Sequence, residues 1–167
     1  MRRHFRMLPF LVAPSCLGLD CSNQSGPPAP DSCTAPAGVT VAAIEIGRSA
    51  DPFVPIADGE VVTSEVGGQG FSMLPIRVRV RESGGADCLP IAVSILSPLG
   101  DIVASDGTSR KSYAAPDGSR ATRPIYLVLG FGRSGGPYAV RVELGGRVVT
   151  RKVWLDRVDV EDGGGRD

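Results

Sequence analysis

Met73-Leu74-Pro75-Ile76-Arg77-Val78-Arg79-Val80-Arg81 decides the fold class of this chain. Ile76, Val78 and Val80 alternate with Arg77, Arg79 and Arg81, aliphatic against fully charged. A period of two puts the first set on one face of a β-strand and the second on the other. The pattern predicts a half-buried strand, with the aliphatic face in a core and the arginine face in water. A slip of one residue would reverse every side chain, so burial fixes the register. The arginines read first as solvated sheet surface, with an anionic-ligand patch as the alternative.

Similar signals extend along the chain in both directions. Val39–Ile46 and Gly59–Val66 read as strands upstream. Pro90–Leu96 and Ile102-Val103-Ala104 read as a hairpin across Ser97-Pro98-Leu99-Gly100-Asp101. Arg123–Phe131 is a strand around Ile125, Leu127 and Leu129. Pro137–Leu144 and Arg147–Leu155 flank Gly145-Gly146, a strong hairpin signal. Ser105–Arg120 is polar without periodicity and reads as a loop. No long stretch shows the i, i+3, i+4, i+7 spacing of a helix. The expectation is an all-β fold: an antiparallel β-sandwich, immunoglobulin/fibronectin-like, of about eight strands over residues 37–160. Trp154 lies near the end of the last strand and not between cysteines, so the Cys–Trp–Cys hallmark of antibody domains is absent.

Residues 1–21 read as an export leader. Met1-Arg2-Arg3-His4-Phe5-Arg6 is basic, Met7-Leu8-Pro9-Phe10-Leu11-Val12-Ala13 is apolar, and Cys16 and Cys21 follow. The apolar run is far below the roughly 20 residues a membrane span needs. A lipoprotein signal ends in small residues before an acylated cysteine. Ser15 favours Cys16, with Cys21 as the alternative that leaves Cys33 and Cys88 as a clean pair. Arg2-Arg3 also resembles a twin-arginine signal without its flanking residues. Residues 22–36, rich in Ser and Pro, predict a flexible linker, and the acidic, Gly-rich 161–167 a frayed tail. The expected location is exported: an outer membrane-attached lipoprotein, or the periplasm or cell surface. The expected partners are a membrane, through the lipid anchor, and an unknown protein or glycan.

The chain has 167 residues, with 18 Lys plus Arg against 18 Asp plus Glu. Zero net charge and no basic stripe give no footing for nucleic acid, and no polybasic membrane patch is present. His4 is the only histidine and leaves with the leader, so neither a Ser-His-Asp triad nor a histidine metal site is expected. Lys111 and Lys152 lack any Ser-Lys motif. Asp51, Asp58, Asp101, Asp106 and Asp117 lie beside Gly, Pro or Ser and read as turn formers rather than as a catalytic carboxylate pair. Calcium would suit such loops, but no EF-hand or repeat loop is present. No catalytic residue, metal ligand or cofactor is expected. Cys33 and Cys88 are expected to form a disulfide, closing a loop of roughly 55 residues and contributing about 4 kcal/mol.

Asp51-Pro52-Phe53-Val54-Pro55-Ile56-Ala57-Asp58-Gly59-Glu60-Val61-Val62, followed by Gly67-Gly68-Gln69-Gly70, resembles a segment of uncharacterised exported lipoproteins of GC-rich Gram-negative bacteria. The likeness covers residues 47–80, and the closing Gly-x-Tyr-x-Val at Gly136–Val140 resembles theirs too. Their pattern has Leu and Asp where this chain has Ile56 and Glu60, and their Gly-x-Gln-Gly-Gly-x-His run loses its second glycine and its histidine here. The resemblance implies a small exported β-domain behind a lipoprotein leader and implies no activity. The resulting expectation is a non-enzymatic binding or structural module. The alternatives are a calcium-dependent adhesion or carbohydrate-binding module using aromatics such as Tyr113, Tyr126 or Phe131, and a secreted hydrolase using paired carboxylates.

Overall fold

The computed structural model describes residues 31–157 apart from 68–69, 82 and 131–133. Among these residues there is no helix, and eleven strands form one mixed, strongly curled sheet. In chain order they are β1 (Ala43–Arg48), β2 (Glu60–Val66), β3 (Ser72–Arg81), β4 (Cys88–Pro90), β5 (Ala92–Leu96), β6 (Ile102–Asp106), β7 (Ser109–Ala114), β8 (Arg120–Thr122), β9 (Ile125–Gly130), β10 (Gly135–Leu144) and β11 (Arg147–Arg157). Across the sheet the order is β4-β7-β8-β3-β2-β11-β10-β5-β6, with β1 and β9 also paired to β3.

Two expectations need correction. Eleven strands replace eight, because Pro90–Leu96 holds the end of β4 and then β5, and the loop expected over Ser105–Arg120 gives way to β7 and the start of β8. In β7 only Ser112 is buried. Its place comes from ladders to β4 and β8, not from an apolar face, so no periodicity announces it. The sheet is also not purely antiparallel: β2 runs parallel to β11, with Val61 beside Trp154 and Val62 beside Leu155.

β3 is the hub. On one edge it meets β2 at Ser72 and Met73 and β1 from Ile76 to Arg81; on the other it meets β9 and β8. Pro75 falls between the β2 and β1 ladders, where that edge has no partner strand. A residue without an N–H costs least at such a gap. Leu74, Ile76, Val78 and Val80 are sealed inside. They pack with Ile44 and Ile46 of β1, Val93 and Ile95 of β5, Leu127 and Leu129 of β9, and Val140, Val142 and Val153 of β10 and β11. β10 and β11 form the expected hairpin, and both Gly145 and Gly146 have positive φ, as a two-residue turn of this kind requires.

The segment Asp51–Val62 has a structural job. It carries the chain from β1 to β2. Asp58 Oδ1 accepts a hydrogen bond from the Lys152 N–H at 2.8 Å, and the Gly59 N–H donates to the Lys152 carbonyl at 2.8 Å. Glu60 Oε2 accepts from the Ala57 N–H at 2.6 Å, while Oε1 pairs with Arg48. The Ala57 hydrogen bond, and after it Arg48, hold the Glu60 carboxyl below its ordinary pKa against a desolvation that opposes them. These contacts clamp the start of β2 onto β11 and so set the parallel pair. Asp58→Ala is expected to cost about 1–2 kcal/mol by urea unfolding, and Asp58→Asn less, because the amide keeps an acceptor.

Cys33 and Cys88 form the expected disulfide, with Cα atoms 6.0 Å apart. The end of the expected linker is anchored rather than free. Ser32 bridges Arg110, the Lys111 N–H donates to the Asp31 carbonyl at 2.8 Å, and the Tyr113 hydroxyl donates to Asp31 Oδ1 at 2.9 Å. The leader with its candidate anchors Cys16 and Cys21, the remaining linker and the tail lie outside the described residues.

Candidate functional site

The outer face of β3 is not the wet arginine surface its sequence predicts. Arg81 is exposed, but the side chains of Arg77 and Arg79 are only 15% and 16% accessible. Antiparallel pairing puts Gly47 opposite Arg77 and Glu45 opposite Arg79 on one side, and Ala121 opposite Arg79 on the other. Gly47 and Ala121 are small, so the guanidiniums lie in a trough between two walls. The loop after β1 brings Phe53 down onto Gly47, where an added Cβ would meet the ring at 2.5 Å and the Val54 carbonyl at 2.7 Å. The Arg79 guanidinium stacks on that ring, 4.3 Å from its centroid, a favourable cation–π arrangement. The β7–β8 loop supplies the second wall through Pro116 and Asp117. The result is a cleft of about 230 Å³.

The guanidiniums are partly used. Arg77 Nε donates to the Thr122 carbonyl at 2.9 Å and Nη1 to the Ala50 carbonyl at 2.9 Å. Arg79 Nε donates to Glu45 Oε2 at 2.6 Å. Asp51, with its side chain 90% exposed, approaches Arg77 only to 3.4 Å, and Asp117 approaches Arg79 to 3.6 Å. Both distances exceed those of good charge-assisted hydrogen bonds. Hydrogen bonds from Ser119, helped by Arg79 and Arg81, hold the Asp117 carboxyl below its ordinary pKa. Arg77, Arg79 and Arg81 thus face Glu45, Asp51 and Asp117, three charges of each sign. A simple anion-binding patch does not fit that balance.

The remaining candidates do not converge. Asp58 is turned to Lys152. Asp106 accepts from the Thr108 N–H and pairs with Arg110. Burial raises its pKa, but the Thr108 hydrogen bonds and Arg110 outweigh that and lower it. Asp101 closes the β5–β6 turn through its backbone to Ser97. Tyr113 aligns with Ala121 and Tyr126 with Pro75, which puts them four residues apart along β3, roughly 13 Å by strand rise. They form no common platform. The bond to Asp31 raises the Tyr113 pKa. Lys111 and Lys152 are both exposed. His4 and Phe131 lie outside the described residues. Among the described residues no three His, Cys, Asp or Glu side chains gather as a metal site.

Comparison with protein-family models, with curated proteins and with solved structures found no match.

Proposed function

We propose that this chain is an exported, lipid-tethered, non-enzymatic binding or structural module with an immunoglobulin-like sandwich body. The observation that carries the reading is the Cys33–Cys88 disulfide, whose first cysteine lies near the end of a Ser/Pro-rich linker that follows a basic, apolar, Cys-ended start. Disulfides of this kind persist outside the cytoplasm. Support for the sandwich comes from β2, which pairs with β3 at its end and with β11 along its length, so one strand joins two groups of strands. Calcium binding and carboxylate catalysis have less support, because Asp58, Asp106 and Asp117 each commit an oxygen to a backbone N–H.

Mass spectrometry of the N-terminus from envelope-fractionated cells tests the proposal. The expected species begins at an acylated Cys16, or at Cys21. An intact, unmodified Met1 on the envelope fraction would overturn it.

A further inference from the structure

Two facts about the arginine cleft stand together. Among the described residues, neither Arg77 Nη2 nor Arg79 Nη2 has a hydrogen-bond partner. Neither is sealed from solvent, since the buried polar side-chain atoms lacking a partner are Ser72 Oγ and Arg110 Nε. Arg77 and Arg79 line the cleft with one unpartnered Nη2 each, and the carboxylates of Asp51 and Asp117, which meet those arginines only at 3.4 and 3.6 Å, line it too. Phe53, Pro52 and Pro116 give it apolar walls.

We propose that this cleft binds a small zwitterion of the α-amino-acid type, its carboxylate on Arg77 and Arg79 and its ammonium toward Asp51 and Asp117. A lone anion on the unpartnered Nη2 groups would sit beside the Asp51 and Asp117 carboxylates with nothing to offset their repulsion. A zwitterion inserts into the array and leaves every charge with an opposite neighbour. The volume of about 230 Å³ suits a ligand of amino-acid size. The Phe53 ring and the two prolines select an apolar side chain. This names a ligand for the binding module proposed above and rests on that reading; processing of the N-terminus is tested separately, so the two can fail independently.

The test is an NMR titration of the full, disulfide-bonded chain with L-leucine, and with acetate and propylamine as half-ligand controls. Leucine is expected to saturate shifts at the Arg77 and Arg79 Nε–H groups in the millimolar range, and neither control to do so at equal concentration. Asp51→Asn removes a side chain that is 90% exposed, so the fold should hold and leucine should bind about fivefold more weakly. Arg77→Gln is expected to weaken it at least about tenfold. Acetate binding as well as leucine would overturn the zwitterion, as would unchanged affinity in Asp51→Asn. Absence of a saturable shift at the cleft would overturn the site.

Discussion

Val78→Asp is expected to abolish the cooperative unfolding transition of this protein. Val78 is fully enclosed at the centre of β3, opposite Ile46 of β1, and its N–H donates to Thr122 Oγ1 at 3.0 Å. An aspartate there has no cation on its side of the sheet, because Arg77 and Arg79 point to the opposite face and are already engaged. The carboxyl must either ionise unpaired or take up a proton, and either choice costs several kcal/mol. To that is added the lost burial of the valine itself. Small domains hold about 5–15 kcal/mol in all, so one such change consumes most of it. Val78→Ala is the control, expected to lose about 2 kcal/mol and keep a single transition. Circular dichroism during heating decides both. A normal melt for Val78→Asp would remove β3 from the core.

The strand was legible because its two faces differ so sharply. Ile76, Val78 and Val80 are enclosed as the alternation requires. The β10–β11 hairpin was legible for a similar reason, with alternating residues meeting at two glycines of positive φ. β7 was not, because hydrogen-bond ladders hold Ser109–Ala114 without a buried apolar face. The parallel pairing of β2 with β11 was equally hidden. It depends on Asp58 and Gly59 reaching Lys152, a contact that nothing local to either segment announces. The half-burial of Arg77 and Arg79 was missed because its causes lie far away in sequence. Glu45, Phe53 and Asp117 come from three other segments. The signal nearest to it is Asp51-Pro52-Phe53. Its turn residues were visible, but its aromatic wall was not, because Phe53 finds its place only against Gly47 on a formed β1.

Removing the disulfide with Cys33→Ser and Cys88→Ser together is expected to lower stability by about 4 kcal/mol, the loop-entropy value for a closed ring of this length. The bridge spans a sequence separation of 55, enclosing β1, β2 and β3. It therefore restricts the unfolded chain across the segments that build the core. Cys88 lies in the three-residue edge strand β4, which among the described residues pairs with β7 alone. Cys33 follows the anchored residues Asp31 and Ser32 on the same β7. Leu89 anchors β4 in the core, but β7 and residues 31–33 bury little apolar surface of their own, so the covalent tie contributes to their order. Urea unfolding of the double variant should show a lower midpoint and a steeper denaturant dependence, because the unfolded chain, no longer crosslinked, exposes more surface. Reduced wild-type protein should give the same curve. If the two midpoints stay at the oxidised value, the bridge closes a loop that the folded strands already hold, and the entropic account of its role fails.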